Sequence, residues 1–250
     1  IRQRLIANNR FSKYLLYAIG EILLVVIGIL IALQIDTWNE EVQNRKIEQS
    51  FYREILSDLK KDSLKLDGLT LFYKNRIEHA GWLLKRVRDP EIKVDYIEMG
   101  KRIQPLYFGP LAVTYNSSYE AAKSSDAFAN FKSKVILKNL NQYYADFEEL
   151  KGILEATLRW LESDLEPVMA TQPETYITEE SGEYAITSEL YSIREFYRFV
   201  TSIEDKRNLP VDLSPVLKNP RFEFYLSGDL GRSFNALESL TRKVLIPSSL

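Results

Sequence analysis

Residues Tyr14 to Ile35 read YLLYAIGEILLVVIGILIALQI, and only Glu21 and Gln34 in these 22 positions are strongly polar. Coiled into a helix, the run is roughly 33 Å long, close to the hydrocarbon thickness of a bilayer. It is apolar nearly all round, which suits lipid better than the one-sided burial of a helix in a soluble fold. A secretory signal peptide has a shorter apolar region followed by a small-x-small cleavage site. Here the run passes instead into Gln34, Ile35, Asp36, Thr37 and Trp38. The reading is an uncleaved transmembrane anchor. The chain opens on Ile1 rather than Met, so the natural N-terminus is expected upstream.

The flanks set an orientation. Arg2, Arg4, Arg10 and Lys13 precede the run with no acid among them, and Asp36, Glu40 and Glu41 follow it. Basic flanks are retained on the cytoplasmic side, so the N-terminal tail is expected in the cytoplasm and the large remainder outside it. Tyr14, Tyr17 and Trp38 lie near the two ends, where amphipathic rings favour the headgroup region. Tyr14 and Trp38 read as interface anchors.

On a helical wheel Tyr14, Tyr17, Glu21, Val25, Gly28, Ala32 and Ile35 fall within about 40° of one line. The acid therefore shares a face with two small residues. Gly28 and Ala32 form a small-xxx-small pair that lets another helix approach closely. Glu21 sits roughly 10 Å inside the cytoplasmic edge, where an ionised carboxylate is costly unless protonated, paired or wet. Three readings stay open. It snorkels toward the cytoplasm; it hydrogen-bonds across a helix–helix interface built with Gly28, Ala32 and Tyr17; or it lines a proton or ion path in an oligomer.

Beyond the anchor the composition is that of a folded domain, with 45% hydrophobic and 27% charged residues. Ile47, Phe51, Ile55, Leu59, Leu66, Leu69, Tyr73, Ile77, Leu84 and Val87 recur at mostly helical spacing, while Glu48, Arg53, Lys60, Lys61 and Lys74 mark the other face. A long amphipathic helix ending at Asp89-Pro90 follows, with bends expected at Gly68 and Gly81. Pro105, Gly109 and Pro110 break the next section, and Ser117 with Glu120 suggests a capping box before a short helix. Ser125 or Asp126 is placed to cap another.

Leu137, Leu140, Tyr144, Phe147, Leu154, Leu158, Leu161 and Leu165 keep steps of three and four, interrupted at Lys151 and stopped by Pro167. Such a seam packs at a shallow angle on a neighbouring helix. A loop, with a small hairpin about Ser181-Gly182, is expected over 171–188, then a helix over 189–205. A last helix carries Phe222, Leu226, Leu230, Phe234, Leu237, Thr241 and Val244.

The expected fold is all-α. One N-terminal transmembrane helix continues into a long stalk helix and an elongated extracytoplasmic four-helix-type bundle with irregular loops. The divisions are a basic tail at 1–13, the span at 14–35, the stalk at 36–90, and the rest of the helical domain at 91–250, bundled with 39–88.

Chemistry is hard to find. The net charge of -2 argues against a nucleic-acid partner. The absence of cysteine removes disulfides, thiol catalysis and cysteine-based metal sites, and the single histidine, His79, permits no triad or multi-histidine centre in one subunit. His79 itself reads as surface or core filler. There is no phosphate loop, GxGxxG, GxSxG or HExxH. The pairs Glu148-Glu149 and Glu179-Glu180 read as solvated faces, and Tyr143-Tyr144 with Phe196, Tyr197 and Phe199 as core packing.

Two stretches are similar to a known family. KYLLYAIGEILLVVIGILIALQIDTWNE, Lys13 to Glu40, resembles the N-terminal signature of single-pass proteins common in Bacteroidota, catalogued as domain of unknown function 6090. VTYNSSYEAAKSSDAFANFKSKVILKNLNQYY, Val113 to Tyr144, resembles that family's second typical block. Members often carry two asparagines before the Trp, where this chain has Asp36-Thr37. The resemblance implies a bacterial inner membrane with a periplasmic domain, and it supplies no activity.

The function expected is therefore that of a non-enzymatic, inner-membrane-anchored scaffold or interaction module. It needs no cofactor, and its partners are the lipid bilayer, further copies of itself through the span, and other membrane or periplasmic proteins. An ion- or proton-conducting assembly using Glu21, and a periplasmic ligand sensor acting through a partner, are the alternatives.

Overall fold

A computed structural model gives the fold, describing residues 2–125, 127–174, 177–178 and 191–244, with side chains for all but 2–11, 130, 191–194 and 243–244. Among the described residues every regular element is helical. Helix α1 runs Arg2–Arg88 without a break and holds the apolar run. It is long and apolar enough to cross a membrane. Helix α2 (Tyr96–Ile103) leads into a 3-10 turn, Gln104–Tyr107. Helices α3 (Ser117–Ser124) and α4 (Ala127–Asn130) are short. Helix α5 covers Lys134–Trp160, and a π-helical turn, Leu161–Leu165, joins it to α6, Glu166–Met169. Helices α7 (Tyr191–Ser202), α8 (Ser214–Leu217) and α9 (Pro220–Val244) complete the order.

The chain forms two compact units, Ile1–Glu54 with Tyr119–Lys132, and Ile55–Ser118 with Ser133–Leu250. In the first, α3 and α4 lay an aromatic patch on α1. Phe131 stacks edge-on to Tyr52 at 5.1 Å and to Phe128 at 5.1 Å, and Ala122 and Ala127 fill the space beneath. Each such ring pair adds about 0.5–1.5 kcal/mol beyond its buried area.

In the second unit α5 packs on α9, and the core gathers Leu83, Met99, Ile103, Leu106, Leu161, Leu165, Phe222 and Leu226. The expected helices over 189–205 and from Phe222 onward correspond to α7 and α9. Of α7, Tyr197 is fully buried, whereas Phe196 and Phe199 face outward. The loop expected over 171–188 lies largely outside the described residues, with its hairpin and Glu179-Glu180 wholly so, as does Asp126.

Several local expectations change. Helix α1 continues through Gly68 and Gly81. A lone glycine costs a helix only about 1 kcal/mol, which packing on either side outweighs. Glu48, assigned above to the wet face, is 7% exposed, and Ile47 is 48% exposed. Leu150 occupies the buried seam beside exposed Lys151. Pro167 does not end the helical path. The Glu166 N–H bonds to the Leu161 carbonyl, five residues back, and Pro167, with no N–H to give, sits in the opening turn of α6. Ser117 forms no capping box and is already the first residue of α3. The neighbouring Ser118 hydroxyl donates instead to Asp58 at 2.6 Å.

Candidate functional site

Two features stand out: an apolar stretch of α1 that no described residue covers, and buried polar side chains on α1 and α9 that the apolar periodicity concealed.

Every side chain from Ser12 to Glu41 is exposed. That set includes Tyr14, Tyr17, Glu21, Gly28, Ala32 and Trp38, together with Lys13. A Cβ placed on Gly28 meets nothing within 4 Å. Arg2, Arg4 and Arg10 lie on the first turns of α1, where only the backbone is described. Helicity persists past the span, and the Thr37 hydroxyl donates back to the Leu33 carbonyl at 2.9 Å. Tyr14, Tyr17, Glu21, Gly28 and Ala32 thus belong to one uninterrupted helix, which preserves the shared face read from their spacing.

In the first unit Glu48 is the polar anchor. Its Oε1 accepts the Lys132 backbone N–H and the Tyr52 hydroxyl, each at 2.8 Å. Burial and the adjoining Glu48 raise the Tyr52 hydroxyl well above the usual tyrosine value. Lys132 also reaches Glu41 at 4.0 Å.

In the second unit Asp58 and Asp62, one turn apart on α1, hold the chain that enters α3. Asp62, fully buried, accepts the Tyr115 N–H at 2.8 Å and the Tyr143 hydroxyl at 3.0 Å. Burial pushes its carboxyl up, opposed by those two hydrogen bonds. Burial also raises Asp58, but the hydrogen bonds from Ser118 and Lys61 outweigh it and leave that carboxyl below the usual value. Tyr143, read as core packing, is indeed buried, and it also serves as a donor to α1.

Arg76 lies at the centre of the same unit with 1% of its side chain exposed. Its Nη2 is 2.7 Å from Asp229, and its Nε donates to the same carboxylate at 3.0 Å. Nη1 donates to the Phe108 carbonyl at 2.6 Å, and Nη2 to the Leu106 carbonyl and the Tyr225 hydroxyl at 3.1 Å. One guanidinium thereby ties α1, the 3-10 turn and α9 together. Burial alone would depress its basicity, but Asp229 and Tyr225 hold it above the ordinary arginine value. Tyr73, one turn earlier on α1, has a buried hydroxyl without a hydrogen-bond partner among the described residues, and burial pushes it up to about 12.

His79 is 5% exposed, so of surface and core it is the core that holds it. Its Nδ1 is 3.1 Å from Arg102. Burial, and then the Arg102 charge, lower its pKa to about 4, with Glu78 and Glu98 opposing.

These groups bind backbone and one another. Among the described residues no three His, Asp or Glu side chains come together as a metal-ligand set. Spacing alone missed the buried Asp58, Asp62, Arg76 and Asp229. The available signal was that each falls at helical spacing from a buried apolar neighbour, as Asp62 does between Leu59 and Leu66.

No curated protein and no solved structure matches the chain. A family model described as a family of unknown function, DUF6090, matches residues 21–147. That interval starts at Glu21 and takes in the rest of α1, the clasped segment with Tyr115, Ser118 and Lys132, and Tyr143 on α5. It is just over half of the chain, and the protein belongs to the DUF6090 family.

Proposed function

We propose that the protein is a non-enzymatic, membrane-anchored interaction module that self-associates through the Glu21, Gly28 and Ala32 face of its span. The observation that carries this reading is the complete exposure of residues 12–41 in the single chain. Apolar surface on that scale requires lipid, other copies, or both. Within lipid, close approach at Gly28 and Ala32 gains dispersion contacts, and a protonated Glu21 donates a hydrogen bond across the helix pair. The tyrosine-bearing end lies toward the cytoplasm, where Arg2, Arg4, Arg10 and Lys13 are retained. Residues beyond Trp38 extend into the periplasm of a bacterial inner membrane, where they meet partner proteins.

The test is native mass measurement and lysine crosslinking of the full chain in mild detergent. Wild type is expected to give a defined oligomer, and Gly28→Leu is expected to shift it to monomer by blocking backbone approach. Glu21→Leu weakens the oligomer, and Glu21→Gln, which still hydrogen-bonds, retains it. Monomer alone for wild type across several mild detergents overturns self-association.

A further inference from the structure

Helices α1 and α9 run in opposite senses. Arg88 pairs with Glu223, and Arg76, earlier on α1, pairs with Asp229, later on α9. Asp229, Ser233, Ala236 and Leu240 form the inward side of α9. Its outward side is unlike that of α5, where Lys138, Glu148, Glu149, Lys151 and Arg159 are exposed. Between Arg221 and Glu238 no charged residue of α9 is exposed, and the exposed residues are Phe224, Ser227, Gly231, Phe234 and Asn235.

Phe224, Ser227, Gly231 and Phe234 follow one another at steps of three, four and three, the spacing of a helix-pairing seam. The two rings are 60% and 57% exposed, and Phe224 is steadied by Trp160 at 5.2 Å. The two glycines of α9 differ. A Cβ on Gly228 would come within 2.9 Å of Trp160, so packing inside the chain accounts for that glycine. A Cβ on Gly231 meets nothing within 4 Å. Glycine weakens a helix interior, and what it offers on an outward face is close approach of a second helix.

Two chains anchored in one bilayer by the same span enter it in the same sense. Their α9 helices then run in the same sense too, and each seam residue of one lies opposite its own copy in the other. We propose that the Phe224, Ser227, Gly231 and Phe234 face of α9 pairs with the same face of a second copy, in parallel and in register. Phe224 and Phe234 pack on their counterparts, and Ser227 and Gly231 between them let the backbones come close. Glu238, the next seam position, is held by Arg242 of its own helix, and the apolar pairing ends there. Anchoring both copies in one membrane raises their effective concentration, so a short seam suffices. The inference rests on the anchored reading of the span and not on pairing through Glu21, Gly28 and Ala32.

The chain has no cysteine, so single cysteines report the register. Full chains carrying Ser227→Cys or Gly231→Cys are oxidised gently in membranes, with exposed Ser202→Cys on α7 as the collision control. Each seam variant by itself is expected to give a disulfide-linked dimer, and the α7 variant to stay monomeric. Adding Phe234→Glu to Ser227→Cys is expected to keep the unfolding midpoint and to cut the dimer by about tenfold or more. Adding Gly28→Leu, which blocks the span face, is expected to leave the dimer in place. That arm separates failure of the span interface from failure of this one. No dimer from either seam variant, equal dimer from Ser202→Cys, or undiminished dimer in a folded Phe234→Glu overturns the proposal. Dimer that forms only when Ser227→Cys and Gly231→Cys chains are mixed overturns it in favour of antiparallel pairing. Dimer lost with Gly28→Leu overturns it in favour of contact driven by the span.

Discussion

Arg76 and Asp229 are the groups whose removal the fold tolerates least. Their charges are paired and out of water, with backbone carbonyls and Tyr225 taking the other guanidinium hydrogens. Such a pair adds little net stability over an apolar substitute, but breaking it strands a buried charge. Asp229→Leu is expected to lower the unfolding free energy by about 3–5 kcal/mol. Adding Arg76→Met to Asp229→Leu recovers part of that loss, as read by denaturant unfolding of the full chain in detergent.

His79 gives a pH dependence with a definite sign. Its folded pKa of about 4 lies below the ordinary histidine value, so the unfolded chain binds the proton more readily. Its contribution to stability is complete above about pH 6.5 and is lost as pH falls toward about 4. The expected loss is on the order of 2 kcal/mol, measured as the pH dependence of wild type minus that of His79→Leu. Identical slopes in the two proteins would remove the assignment. Arg76 did not stand out in the linear sequence, and nothing there chose between surface and core for His79, because a polar residue at an inward helix position looks like a lapse in the apolar pattern until its partner is seen.

Elements differ in how openly their sequence declares them. The α5 seam was legible because its inward positions are nearly all leucine or aromatic. The α9 seam was not. Leu230 and Phe234 fit the apolar spacing, yet the buried face runs through Phe222, Tyr225, Leu226, Asp229, Ser233, Ala236 and Leu240, and Phe234 is 57% exposed. Asp229 and Ser233 interrupt the period, so apolar matching settles on a neighbouring line. The same offset on α1 placed Glu48 in solvent and overlooked Phe72, Arg76 and Leu83.

Glycines separate contact from propensity at this scale. Gly152 sits exposed on α5, and a Cβ added there meets nothing within 4 Å, whereas Gly109 abuts Leu158. Gly152→Ala is expected to stabilise by about 0.5–1 kcal/mol, and Gly109→Ala to destabilise by about 1–3 kcal/mol. Thermal unfolding of the two variants checks both signs. A destabilised Gly152→Ala would mean that the exposed face of α5 is occupied.

For the whole molecule the proposed topology has a direct reporter, because the chain lacks cysteine. With single cysteines at Ser12 and Ser202, both exposed, a membrane-impermeant maleimide added to cells with a permeabilised outer membrane is expected to label Ser202→Cys and spare Ser12→Cys. The reverse pattern overturns the orientation, and labelling of both at equal rates overturns the anchor.

The amino-acid order alone determined the all-helical class, the long apolar N-terminal helix and its stop at Asp89-Pro90. Each of these follows from local quantities: residue hydropathy, the 3.6-residue period and the missing proline N–H. Tertiary structure decided which acids and cations turn inward, since Asp62 is indistinguishable from a solvated aspartate until Tyr115 and Tyr143 are brought to it from 53 and 81 positions away. A buried charge depends on partners distant in sequence, and local pattern carries no record of them.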